Sequence, residues 1–376
     1  MPGTFIHQCL TRQALESNHI SDAENLVNTY CIYPDYYFGE RSAETKPYMY
    51  FHDGIQFHYP PHTPVEEFYR YWDRDENGNY PFCHHENENI VHVEAGFRFY
   101  LGKIIPLLKT GEREEAWKYL GCLLHFLEDS TFGLHSLEGA DGADLFILDR
   151  LFGTDITRYL SGISLTDELQ SMTVVPKVLT SSAEEFIPLL YTRYVKDSAR
   201  SRQYLFDMAV EHQYGKSQRS SEENIREMFL VALQLSADTA ATVLAIASGE
   251  KTGVIHRNLT EFSPFHYPIG GSGFILKKYE EQENTITFGV NSSASLLYSI
   301  PENLYDTFTC VVRGIGIHQV KLELFDKNEV IRCIDLENEK DIPLVISSPG
   351  GVLGFRITSP EVLGQIRISN GVFCRE

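Results

Sequence analysis

The feature that most restricts the fold is a change of periodicity at about residue 250. Before it, apolar residues recur at helical spacing; after Gly249-Glu250-Lys251 they come in short β-rich runs. A helix-period pattern does not settle as a strand, nor the reverse. The 376 residues, 43% of them hydrophobic, are therefore expected to form a helical domain followed by a β domain. Helices are predicted over Glu94–Leu108 and Glu112–Glu128, parted by Lys109-Thr110-Gly111, and over Ala183–Tyr214 and Glu222–Ser248. Between Pro34 and Asn89, Pro, Gly, Tyr, His and Asp interrupt any helix; so long an irregular and aromatic segment is expected to be ordered and functional. Strands are predicted at Thr285–Val290, Ser295–Ser299, Thr307–Val312, Lys321–Leu324, Val330–Ile334, Leu344–Ile346, Leu353–Ile357 and Gln365–Ile368. Their Asn, Gly, Pro and Asp spacers suit an antiparallel sandwich. The boundary is expected near 250–270, in the Pro- and Gly-bearing stretch Asn258–Gly273, with 1–255 the helical domain and 256–376 the sandwich.

Charge and histidine are concentrated in the helical part. The net charge is −20; residues 1–256 hold 37 acidic and 21 basic groups, and residues 257–376 hold 15 and 11. Such acidity repels phosphate backbones, so nucleic acid is an unlikely partner. Ten of the 14 histidines fall in the first 135 residues. Imidazole with carboxylate is the donor set of a hard-to-borderline metal site, although an acidic solvated face with scattered histidines has the same composition. The seven cysteines are scattered without a Cys-x-x-Cys pair, which argues against a disulfide framework or a thiolate zinc site. No signal peptide is visible, which points to a cytoplasmic protein. The most apolar stretch, Met228–Ser248, carries Gln234, Ser236, Asp238, Thr239 and Thr242 and reads as a buried helix; no transmembrane segment is expected.

The sharpest local feature is Leu120-Gly-Cys-Leu-Leu-His125-Phe-Leu-Glu-Asp129-Ser-Thr-Phe-Gly-Leu-His135. On a helix, His125 and Asp129 sit at i and i+4 and share a face, where imidazole and carboxylate can grip one ion. Gly133 then ends the helix and lets the chain swing His135 back. An exposed His–Asp pair would be worth only tenths of a kcal/mol, roughly. Here Leu123, Leu124, Phe126 and Leu127 argue for burial, where such a pair needs partners or a metal.

The segment Trp117-Lys-Tyr-Leu-Gly, then His125, Asp129 and His135, resembles the motif of the zinc-dependent phospholipase C family, whose fold is shared with single-strand nucleases. Upstream, Tyr33-Pro34-Asp35-Tyr36, Phe57-His58-Tyr59-Pro60 and Gly3-Thr4-x-x-His7 resemble that family's other ligand segments, in family order. The resemblance covers about residues 1–250. It implies an all-α, phospholipase-C-like domain, ahead of an antiparallel, jelly-roll-like β-sandwich. It also implies two or three zinc ions or another divalent metal: Asp35, His58, His125 and Asp129 on one, His7 and a bridging Asp129 on a second with the N-terminal amine, and His135 on a third. The implied reaction is phosphodiester hydrolysis by a metal-bridged hydroxide, with Asp129 as the bridge and Asp35 as the base that orients the water.

The chain departs from the family in places. Loss of Met1 would leave Pro2 as the N-terminal amine, only five residues before His7. The family's third site takes a His and a Glu on the next helix, where this chain has Asp144, with Asp141, Asp149 and Glu138 nearby; the third ion is then absent or harder than zinc. His52, followed by Asp53, is an alternative to His58. His84-His85-Glu86 reads as an exposed loop, and Glu211-His212 as a helix end.

The sequence from Phe288 to Asp326, notably Leu304-Tyr305-Asp306-Thr-Phe308, resembles carbohydrate-binding sandwich modules found beside glycosidases. It shows neither a clustered basic face nor an exposed aromatic set, and a sandwich that only packs on the helical domain is the alternative. The leading expectation is a metal-dependent hydrolase of small or neutral-bodied phosphoesters. The alternatives are an intracellular biosynthetic lyase or cyclase using the metal as Lewis acid, and a non-catalytic, metal-stabilised binding protein.

Overall fold

A computed structural model describes residues 4–34, 51–52, 55–56, 92–131, 152, 166–215, 219–249, 255–264, 279–289, 293–327, 329–358 and 364–375. These fall into two compact units, one helical, within residues 4–249, and one of antiparallel sheets, within 255–375.

The helical unit contains α1 (Thr4–Ser17), α2 (Glu24–Asn28), a 3-10 turn (Tyr30–Ile32), the two-residue ladder of β1 (Phe51–His52) with β2 (Ile55–Gln56), α3 (His92–Thr110), α4 (Arg113–Thr131), α5 (Thr166–Ser171), α6 (Ala183–Tyr214) and α7 (Ser221–Ser248). The break between α3 and α4 falls where Gly111 takes a left-handed φ of 84°, and the Glu112 N–H caps Leu107 O at 2.8 Å. Helix α7 opens with a capping box: Ser220 accepts from the Glu223 N–H, and the Glu223 carboxylate accepts from the Ser220 N–H.

Helix α7 is the core of this unit, with α1, α3, α4 and α6 packed against it. It is long and apolar enough to cross a membrane, yet most of it is buried inside the unit. That burial accounts for its composition. Its buried Asp238 is satisfied on all sides: it accepts from the Lys177 N–H at 2.8 Å, Gln234 Nε2 at 2.7 Å and Arg193 Nη1 at 2.8 Å. Thr242 Oγ1 accepts from the Leu179 N–H at 3.1 Å. These bonds tie the extended chain before α6 onto α7, and a buried carboxylate without them would be costly. Phe97, Phe126 and Tyr194 join α3, α4 and α6, with ring centroids 5.4 to 5.9 Å apart.

In the β unit, strands β3 (Ile255–Asn258), β4 (Tyr279–Gln282), β5 (Thr285–Gly289), β7 (Thr307–Ile315), β10 (Asp341–Ser347) and β12 (Gln365–Arg375) form one sheet. Its order is β10-β7-β12-β5-β4, with β3 also paired to β12. A second sheet runs β6-β11-β8-β9: β6 is Ser293–Ile300, β8 Val320–Asp326, β9 Glu329–Leu336 and β11 Gly351–Thr358. Alternation is regular: β7 turns Phe308, Cys310 and Val312 inward and leaves Thr309, Val311 and Arg313 half-buried on the outer face. Phe262, Tyr305, Phe308 and Phe373 form the aromatic centre. The protein is thus a two-domain chain, α then antiparallel β, as the periodicity predicts. The strand Ile255–Asn258 places the start of the β unit at or before Ile255.

Candidate metal centre

Helices α1 and α4 bring together residues more than a hundred positions apart. On α1, His7 and Thr11 are one turn apart and both reach Glu128 of α4: His7 Nδ1 lies 2.8 Å from Glu128 Oε2, and Thr11 Oγ1 donates to Oε1 at 2.9 Å. Ser236 of α7 donates to the same Oε1 at 3.4 Å. On α4, His125 and Asp129 are one turn apart, as the i, i+4 spacing predicts, with His125 Nε2 3.2 Å from Asp129 Oδ2. His7 Nε2 stands 3.1 Å from the other oxygen, Asp129 Oδ1. The two imidazoles stack, with centroids 3.9 Å apart and planes 21° apart. All five side chains, His7, Thr11, His125, Glu128 and Asp129, are buried.

The hydrogen-bond roles follow from chemistry. A carbonyl only accepts, so His125 Nδ1, 2.7 Å from Cys31 O, carries the hydrogen. In the neutral ring the Nε2 lone pair then faces Asp129. Glu128 fixes His7 in the same way, and His7 Nε2 is left buried with no hydrogen bond of proper geometry. Carboxylate–histidine and carbonyl–histidine contacts of this kind set the tautomer of metal-ligating imidazoles. One ligand atom each from His7, His125 and Asp129 lies within 4.8 Å of the others. Two imidazole nitrogens and a carboxylate are a donor set that zinc accepts, and three protein ligands leave a position open.

Charge within the cluster is strongly coupled. Burial opposes a charge on His7, but Asp129 and Glu128 more than offset it and push the pKa up to about 10. Burial also raises the Glu128 carboxyl, against the pull of His7 and Thr11. Without a metal, His7 is therefore an imidazolium held between two carboxylates; a cation placed against Nε2 would take over the role of that proton.

Of the residues singled out in the sequence, the structure brings together His7, His125 and Asp129. Asp35, His58, His135 and Asp144 lie outside the described residues, as do His84, His85 and Glu86. Of His52 only the backbone is described. Glu128 and the Cys31 carbonyl escape sequence reasoning. Their signals are faint: Thr11 follows His7 by one helical turn, and Gly121 of α4 packs closely on the 3-10 turn. A Cβ at Gly121 would lie 2.6 Å from the Tyr30 carbonyl carbon, so only glycine lets α4 approach the turn that presents Cys31 O. Glu211, read as a helix-end residue, accepts from Ser221 Oγ at 2.6 Å and joins α6 to α7.

No protein-family description and no curated protein matches this chain. Among solved structures, it is similar to one described as PfGH50B, at 12% identity over 26% of this chain and 21% of that one, with a TM-score of 0.20. Two structures of family 29 carbohydrate-binding modules are similar at 10% identity, covering 33% and 32% of this chain and 87% and 92% of theirs, each with a TM-score of 0.21.

Proposed function

We propose that the helical unit is a metal-dependent hydrolase of phosphoester bonds, with His7, His125 and Asp129 at its centre. The observation that carries this reading is the convergence of His7, His125 and Asp129, all buried, with one ligand atom of each within 4.8 Å of the others. Two imidazoles and a carboxylate packed together in the interior are a donor set that zinc accepts. The resemblance of the surrounding sequence to zinc-dependent phospholipases C supplies the reaction class, and in that reading Asp35, His58, His135 and Asp144 complete the ligands.

A bound divalent ion would supply Lewis acidity toward a phosphoryl oxygen and acidify water. The chain's own residues do the rest. Glu128 and Cys31 O hold the imidazoles in the ligating tautomer, and Asp129 presents one oxygen to each. Helices α1, α4 and α7 exclude solvent from the back of the site, which strengthens every charge interaction there.

Elemental analysis of the purified chain tests the first half, and hydrolysis of a phosphocholine ester and a nucleotide ester tests the second. Stoichiometric metal with turnover of either ester is expected. Protein without metal refutes both enzyme readings. A full site without turnover transfers the proposal to a lyase or cyclase using the same ion.

A further inference from the structure

The β unit carries a second chemical feature, separate from the metal centre and independent of the function proposed for it. Strand register in the larger sheet sets His256 of β3, Cys374 of β12, Thr307 of β7 and Ser347 of β10 side by side. Phe373 points into the aromatic centre, so Cys374, the next residue, turns to the outer face. Directly opposed residues of paired strands share a face, which gives the thiol an imidazole neighbour on one side and a hydroxyl-bearing one on the other. His256 Nδ1 lies 3.3 Å from Cys374 Sγ. The imidazole is exposed and the thiol half-buried, so a small reagent can reach the sulfur. The other cysteines described in this unit lack the combination. Cys310 faces the core and is buried; Cys333, on the edge strand β9 of the second sheet, is exposed and makes no hydrogen bond to an imidazole.

We infer that Cys374 is a thiolation site, whose sulfur, with His256 as its base, attacks a low-molecular-weight disulfide and is left as a mixed disulfide. A nucleophile and a base within hydrogen-bond reach are what such a step requires. With its own hydrogen on Nε2, the His256 ring takes the thiol proton at Nδ1. A new S–S bond forms as that of the reagent breaks, and the electron pair leaves on the departing thiolate, which recovers the proton from the imidazolium. The oxidation of Cys374 is thus matched by the reduction of the departing sulfur. Acyl transfer would also need N–H donors for an oxyanion, whereas β12 is paired on both sides at Cys374 and its amides are engaged in the ladders. A zinc ion would find two donors here instead of the three or four it takes. Since Cys310 points inward and Cys333 lies in the other sheet, neither stands beside Cys374 to displace the adduct.

The full chain incubated at neutral pH with hydroxyethyl disulfide, an uncharged reagent, tests this, with adducts followed by intact mass and peptide mapping. Cys374 is expected to react first, ahead of the more exposed Cys333. A thiol without a base is only a few per cent ionised near pH 7, so His256→Gln should slow the adduct at Cys374 about tenfold or more. The rate at Cys333 should not change, and imidazole added to the variant should restore part of the loss at Cys374. The melting temperature should stay that of the parent, because His256 is exposed. The inference is overturned by a first adduct on any other cysteine, by a rate at Cys374 that is indifferent to His256→Gln, or by an equal slowing at Cys333. None of these outcomes bears on the metal centre.

Discussion

Asp129 divides its two oxygens between different imidazoles, and this makes it the residue whose loss has the widest effect. An Asn at that position would keep the shape but turn a donor toward one of two lone pairs and remove the charge. Asp129→Asn is expected to abolish metal occupancy, read by elemental analysis of the variant beside the parent; unchanged metal content would refute its role. His7 supplies a test that needs no metal. Its pKa rises on folding from an ordinary 6.5 to about 10. The stabilisation it provides is therefore complete below about pH 6.5 and fades as pH climbs through 10. Chelator-treated protein should show a falling denaturant midpoint between pH 7 and pH 10. A midpoint flat across that window would mean that His7 is not held as an imidazolium.

Between elements, the contact that matters most is α4 against the 3-10 turn. Gly121→Ala would force the Tyr30 backbone away from α4 and carry Cys31 O off His125 Nδ1. The expected cost is about 1–3 kcal/mol by overpacking, with a loss of metal affinity of about tenfold or more from freeing the imidazole. Thermal unfolding and a competitive chelator titration measure the two effects separately. This is also the scale at which the legibility of the sequence divides. Periodicity predicts α6 at its observed ends and α3, α4 and α7 to within a few residues, because each buries an apolar stripe. All eight predicted strands exist but most run longer, since a hydrogen-bond ladder continues past the apolar residues that advertise it. β12 is the clearest case: Asn370-Gly371 reads as a stop, yet the strand passes through it on a bulge, with Asn370 at a φ of 52°. β3 and β4 escape detection because Ile255–Asn258 and Tyr279–Gln282 are mostly polar. The i, i+4 pair of His125 and Asp129 is visible from local spacing alone. Glu128 is not, because its partners come from α1 and α7, and no local rule links them.

For the whole molecule, two separate cores, with the proposed metal centre confined to one of them, imply two unfolding transitions. Each unit has its own buried apolar set, one around α7 and one around Phe308 and Phe373. Ligands stabilise only the unit that binds them. Scanning calorimetry should show a transition that moves up with added zinc and down with chelator, and another indifferent to both. A single transition, or two that shift together with metal, would mean that the units unfold as one. The charge asymmetry belongs to this scale too: the unit holding the proposed metal centre is the more acidic, which suits cation capture and works against a polyanionic substrate.

The threading of the centre through the chain also has a temporal side. Glu128 follows His7 by 121 residues, and Ser236 follows Glu128 by 108. At a synthesis rate of about 5–20 residues per second, His7 leaves the ribosome about 6–24 s before its carboxylate exists, and nearly as long again passes before α7 closes the pocket. Helix α1 spends that interval without the surface it is shaped to cover. On the proposed function, ion uptake is thereby set among the last events in the making of the helical unit, a mark that its folding is complete.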